Sequence, residues 1–131
     1  MENTKFISKK SILLIHKKMI DTFGGSHGIR DEGLLDSAIN MPQSGFGNEY
    51  FHKTIFDKAS AYLYHLTKNH SFIDGNKRIG FACTETFLRI NGYKFKKDSK
   101  NEIYNFIIKI ASTEIKKEEI ASFIENNSIK I

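Results

Sequence analysis

The stretch Gly75-Asn76-Lys77-Arg78-Ile79-Gly80-Phe81-Ala82-Cys83-Thr84-Glu85-Thr86-Phe87-Leu88-Arg89-Ile90-Asn91 decides how the fold is read. Beyond its first four residues it has few polar positions. Ile79, Phe81, Ala82, Cys83, Thr86, Phe87, Leu88 and Ile90 fall nearly all round a helical wheel. A helix that is apolar nearly all round is enclosed by others. Gly92 is its natural stop, because glycine accepts the left-handed conformation at a helix end. The pattern predicts a buried central helix from near Gly75 to Asn91, which the rest of the chain must cover.

Upstream, the spacing is helical in three places. A first helix is expected after Ser8, a good N-cap, with Ile12, Ile15, Met19 and Phe23 along one face and Gly24-Gly25 as its stop. A short second helix follows Asp31 and carries Leu34, Leu35, Ala38 and Ile39. It ends before Pro42, since the residue ahead of proline avoids helical angles. A third starts near Thr54, where Thr54 and Asp57 have capping-box spacing, and runs out by Asn69. Downstream, Ser99 and Glu102 have capping-box spacing for a fifth helix carrying Ile103, Phe106, Ile107 and Ile110. A last helix is expected over about 117–126, with Ile120, Phe123 and Ile124 inward. The sum is an all-α, compact, single-domain bundle over 1–131, of about six helices around a buried central one.

Residues 43–53, QSGFGNEYFHK, break the pattern. Two glycines sit among Phe46, Tyr50 and Phe51, which reads either as a loop or short hairpin with exposed aromatics, or as a connector with its aromatics tucked inward.

Composition bounds the function. The chain has 131 residues, 40% hydrophobic and 27% charged, a globular balance. One cysteine, Cys83, excludes an intrachain disulfide and a cysteine-rich zinc site. The longest apolar runs, such as Ile12 to Ile15, are far short of the ~20 residues of a membrane span. The opening MENTKFISKK has no apolar signal-peptide core. A soluble cytoplasmic protein is the expectation. The net charge of +5 points toward nucleic acid or an acidic partner. The basic excess is spread over both halves, and its densest stretch, Lys94, Lys96, Lys97 and Lys100, reads as a solvated face. Direct nucleic-acid binding is therefore not expected.

The chemistry concentrates in His70-Ser71-Phe72-Ile73-Asp74-Gly75-Asn76-Lys77-Arg78, which joins the third helix to the central one. Gly75, Asn76, Lys77 and Arg78 occupy the first turn of a helix, whose amide N–H groups lack intrahelical partners and whose dipole favours anions. That is a ready phosphate site. Gly75 lets a ligand approach the backbone, and Lys77 and Arg78 add charge. Asp74 reads as an N-cap or as a ligand for Mg²⁺, an ion held by one or two carboxylates plus substrate phosphates. His70 reads as a general base or as a structural histidine, and the adjacent anion site favours the base. Phe72 points into the core and fixes the loop. Together these parts fit transfer of a phosphorus group from a nucleotide–Mg²⁺ complex to a hydroxyl. The chain has no Walker P-loop, no kinase-type glycine loop and no HExxH zinc motif.

This segment resembles the signature of the Fic/Doc superfamily. Filamentation-type (Fic) members read H-x-F-x-[DN]-G-N-G-R. Here His70, Phe72, Asp74, Gly75, Asn76 and Arg78 match, and Lys77 stands for the second glycine, as in the Doc (death-on-curing) branch, H-x-F-x-D-x-N-K-R. Residues 28–35 (GIRDEGLL), Pro42-Gln43 and residues 87–93 (FLRINGY) also look like Doc-type toxins, so the likeness runs over roughly 8–126. Two departures are small. Ser71 stands where many members have proline, and Gly75 is the Fic-like choice where some Doc members have alanine.

The resemblance implies a toxin of a toxin–antitoxin pair. Fic members usually transfer AMP from ATP to a target hydroxyl. Doc-type members act as kinases, moving the γ-phosphate to a threonine of elongation factor Tu and stopping translation, and a Phd-like antitoxin silences them. His70 is then the catalytic base and Asp74 the Mg²⁺ ligand. Gly75, Asn76, Lys77 and Arg78 form the anion hole. Residues 43–53 correspond to the flap on which relatives dock a target by strand addition, making Phe46, Tyr50 and Phe51 candidate docking residues. The alternatives are AMP transfer and a non-catalytic basic binding module. Many Fic proteins carry an inhibitory [ST]-x-x-x-E-[GN] motif. The two Glu-Gly or Glu-Asn pairs here, Glu32-Gly33 and Glu125-Asn126, follow Gly28 and Ala121 at the decisive position, so restraint is expected in trans.

Overall fold

The computed structural model describes residues 3–131. α1 (Lys9–Phe23) starts as its sequence requires, with the Ser8 side chain accepting from the Ser11 N–H. It buries Ile12, His16 and Ile20 and stops at Gly24. α2 (Glu32–Asn40) is capped by Asp31, whose side chain accepts from the Leu34 N–H. Pro42 then sits in a 3-10 turn, Met41–Gln43, which prolongs the helical path beyond the expected stop.

A hairpin of β1 (Gly45–Phe46) and β2 (Glu49–Tyr50) follows, with Gly45 opposite Tyr50 and Phe46 opposite Glu49. Both readings of its aromatics are partly realised. Phe46 and Phe51 are 84% and 65% exposed, whereas Tyr50 packs edge-on against Phe6 at 5.6 Å. Lys58, fully buried, ties the hairpin down: its Nζ donates to Lys53 O at 2.9 Å and lies 4.4 Å from the Tyr50 ring centre.

α3 (Ile55–Lys68) carries a complete capping box, with Thr54 and Asp57 each accepting from the other's N–H. α4 (Asn76–Ile90) buries Ile79, Gly80, Cys83, Thr84, Phe87 and Leu88. The two helices share the centre of the bundle, and α3 is the more enclosed: every residue from Lys58 to Leu63 is buried. α3 packs on α2, α4, α5 (Lys100–Ser112) and α6 (Lys117–Asn126), whereas α4 keeps Ile90 at 40% exposure. Gly80 sets how closely α3 and α4 approach, because a Cβ there would lie 2.6 Å from Thr67 Oγ1. Tyr62 and Phe87 pack in the interior, and the Tyr62 hydroxyl accepts from the Ile7 N–H. Burial pushes the Tyr62 hydroxyl pKa up to about 12, so it stays protonated.

Two further features differ from the sequence reading. Ser99 precedes α5 but does not cap it with its side chain, because its hydroxyl donates to Lys96 O at 2.7 Å instead. And β3 (Tyr93–Phe95) pairs antiparallel with a C-terminal strand, β4 (Ser128–Lys130), which fastens the chain end across the foot of α4. The all-α expectation stands, with two small two-stranded additions among the described residues. No helix among them is long and apolar enough to cross a membrane.

Candidate active site

The nine-residue loop lies between α3 and α4, held from inside by Phe72, which is 1% exposed. Its turn is closed by Asn76, whose side chain accepts from the Phe72 N–H at 3.1 Å and donates to Phe72 O at 3.0 Å. Both ends of the Asn76 amide are thus engaged on the loop's own backbone, and only its main-chain N–H faces the role expected of an anion site.

A second clamp comes from α1. His16, 4% exposed, stacks on Phe72 at 3.8 Å between ring centres, and its Nε2 lies 2.8 Å from Asp74 O. The distance to a carbonyl makes Nε2 the protonated, donating nitrogen. The Asp74 carboxylate is oriented by two amides: Gly75 N–H donates to Oδ1 at 3.1 Å and Ser26 N–H to Oδ2 at 3.2 Å. Gly25 must be glycine for this, having φ 110° and no room for a Cβ, which would sit 2.8 Å from Asp74 Oδ2. Gly75 is the N-cap of α4 in the left-handed conformation, φ 78°, without a side-chain cap. Asp74 therefore does not cap the helix in the usual way.

The first bond of the α4 ladder runs from Ile79 N–H to Gly75 O. The N–H groups of Asn76, Lys77 and Arg78 precede it and are the unpaired donors of a helix start. They open on a cleft of about 390 Å³ lined by His16, Ile20, Phe23, Gly25 and residues 74–78. Its walls carry Lys77 and Arg78, which no ion pair among the described residues engages. The Arg78 guanidinium rests 4.5 Å from the centre of the Phe23 ring, a cation–π contact. The cleft thus combines amide donors, two cations and one carboxylate, a set suited to a polyphosphate.

The donor chemistry of Asp74 also suits Mg²⁺. Each carboxylate oxygen accepts one amide and keeps a second lone pair, and the residue lines the cleft. Among the described residues no group of three or more His, Cys, Asp or Glu could hold a metal by protein ligands alone. An ion held at Asp74 would therefore have one carboxylate from this chain and would need phosphates and water to complete its shell.

His70, at the head of the same loop, is exposed, is not among the residues lining the cleft, and has φ 51°. Phe46 and Tyr50 stand on the hairpin, away from the cleft, and Phe51 lines a separate depression with His52, Asp57, Ser60, Lys117 and Glu118. Sequence reasoning gave no site role to His16, Gly25, Ser26 or Arg30, reading Gly25 as a helix stop and Arg30 only within the stretch 28–35. Only His16 left a signal, a histidine in register with Ile12 and Ile20 on the buried stripe of α1.

The sequence model of the Fic/DOC family matches residues 6–88, which runs from before α1 to within α4 and includes the whole loop. The chain belongs to the Fic/DOC family. The chain is similar to Toxin Doc of Mycolicibacterium smegmatis, 43% identical over 76 residues, which is 58% of this chain and 58% of that protein. The match thus spans a little over half of that curated relative. The Fic/DOC portion holds every group of the cleft, while β3, α5, α6 and β4 lie beyond it.

Proposed function

We propose that this Fic/DOC protein is a toxin that transfers the γ-phosphate of ATP to a hydroxyl of a protein, and that a separate, Phd-like antitoxin restrains it. The observation that carries the reading is the convergence of Asp74, the free amides of Asn76 to Arg78, and the Lys77 and Arg78 side chains on one cleft. The similarity to a protein named Toxin Doc supports the toxin assignment. The target implied by the resemblance is a threonine of elongation factor Tu, and its modification blocks translation.

The chain's groups divide the work as follows. The amides and cations at the start of α4 hold the phosphates and stabilise charge on the transferring group. Asp74, its carboxylate aimed by Ser26 and Gly75, would hold Mg²⁺, which neutralises phosphate charge when bound. His70 accepts the proton of the target hydroxyl. The hydroxyl oxygen then bonds to the γ-phosphorus as the bond to the β–γ bridging oxygen breaks, and ADP leaves. Lys77 selects this outcome over AMP transfer: a glycine there leaves room for a diphosphate tail, whereas a lysine fills that room and adds charge.

Mass spectrometry of a host lysate treated with the protein and ATP tests the reading. The expected product is a protein hydroxyl carrying one phosphate. A product carrying AMP instead would replace the kinase with an adenylyltransferase. Salt-sensitive nucleic-acid binding that survives His70→Ala, without any modified protein, would leave only a binding module.

A further inference from the structure

His70 is the only non-glycine residue with a positive φ among the described residues, at 51°. A side chain in that region crowds its own backbone, so the conformation persists only where surrounding contacts impose it. The contacts come from residues 28–31, a segment that takes no part in the cleft. Ile29 bridges to Phe72, Ile73 N–H donates to Gly28 O at 3.0 Å, and the N–H groups of Arg30 and Asp31 both donate to Ser71 O, at 2.8 and 3.1 Å. The Arg30 side chain goes one step further along the loop. Its Nε donates to His70 O at 2.6 Å and its Nη2 to Asn69 O at 3.4 Å.

Those two carbonyls are the ones on either side of the His70 α-carbon. Their mutual orientation is what the backbone angles of His70 determine. One planar guanidinium reaching both restrains that orientation, which no single donor does, and charge strengthens the shorter bond. Arg30 has no ion pair among the described residues, so no carboxylate competes for its donors. We propose that Arg30 is a positioning residue for His70, holding it in the left-handed turn that fixes where the imidazole stands. The proposal rests on the reading of His70 as the base of the transfer. It adds that the base is aimed from a distant segment rather than by its own loop.

The test compares wild type, Arg30→Ala and Arg30→Lys in two readouts. The first is the NMR backbone and imidazole signals of His70 in isotope-labelled protein, which report its conformation whether or not the protein is active. The second is the rate of transfer from ATP. In Arg30→Ala, the His70 signals are expected to leave their left-handed values. kcat is expected to fall about 10²-fold with the KM for ATP unchanged. Arg30→Lys, which restores one donor to His70 O, is expected to recover part of both. His70 signals in Arg30→Ala identical to those of wild type overturn the proposal. Should Arg30→Ala fail to fold, Arg30→Lys carries the same comparison, and wild-type signals with wild-type kcat there overturn it. Signals that move as expected in a protein whose wild type shows no transfer uphold Arg30 as the brace of His70 and remove the transferase reading instead.

Discussion

Asp74 shows how much of this site is built by residues remote in sequence. His16 fixes its carbonyl, Ser26 orients its carboxylate, and Gly25 leaves the space that orientation needs. His16→Phe keeps an aromatic ring against Phe72 but removes the donor to Asp74 O. It is expected to cost about 1 kcal/mol in urea unfolding and to lower transfer activity by misplacing Asp74. Gly25→Ala forces a side chain onto φ 110° and against Asp74 Oδ2. A loss of about 1–2 kcal/mol is expected from the left-handed backbone alone, together with weaker Mg²⁺ dependence of transfer. Wild-type activity and stability in both variants would contradict this account of Asp74. The motif over His70 to Arg78 was legible because seven of its nine contiguous positions carry the pattern. Asn76 was read as part of the anion site through its main-chain N–H; the sequence does not show that its side chain is occupied by Phe72, since a motif shows residue types and not which hydrogen bonds they already make.

At the scale of elements, most local signals were read correctly and the non-local ones were not. Ser8, Asp31 and Thr54 cap α1, α2 and α3 because the donors they satisfy lie three residues onward. Thr54→Ala is accordingly expected to cost about 1 kcal/mol, read as a shift in the denaturant midpoint. The same three-residue spacing misled at Ser99, whose hydroxyl finds Lys96 O behind it. β3 was invisible because its partner is the C-terminal β4, and three-residue strands leave no periodicity of their own. The α3–α4 contact was also hidden, since nothing local marks Gly80 as the point where Thr67 approaches. Gly80→Ala is expected to destabilise by about 1–3 kcal/mol through overpacking, despite alanine's better helix propensity. A stabilised variant would mean that the two helices part at no cost.

Across the whole molecule, the segment that follows the hairpin, α3 and α6 meet around His52, His65 and Lys117. Burial, with Lys117 and His52 nearby, lowers the His65 pKa to about 4, and burial followed by Lys117 lowers that of His52. Histidines whose folded pKa lies below the unfolded value of about 6.5 favour the folded state while neutral. Their contribution is complete above the unfolded pKa and is lost as the pH falls toward 4, because the unfolded chain takes up protons first. Urea midpoints should therefore decline between about pH 6.5 and 4, and His65→Gln should flatten that decline. An unchanged slope in His65→Gln would place the acid sensitivity elsewhere. The net charge of +5, a feature of the whole chain, reaches the cleft through only two cations, Lys77 and Arg78.

The central claim is that the groups at the start of α4, with His70, move the terminal phosphate of ATP onto a protein. The most direct measurement incubates wild type and His70→Ala with ATP labelled at the γ-phosphate, in lysate of the host, and resolves the proteins. The account predicts a labelled band with wild type, none with His70→Ala, and none when the label is on the α-phosphate. A band that persists in His70→Ala, a band that appears only with the α-label, or no band with wild type under either label would contradict it.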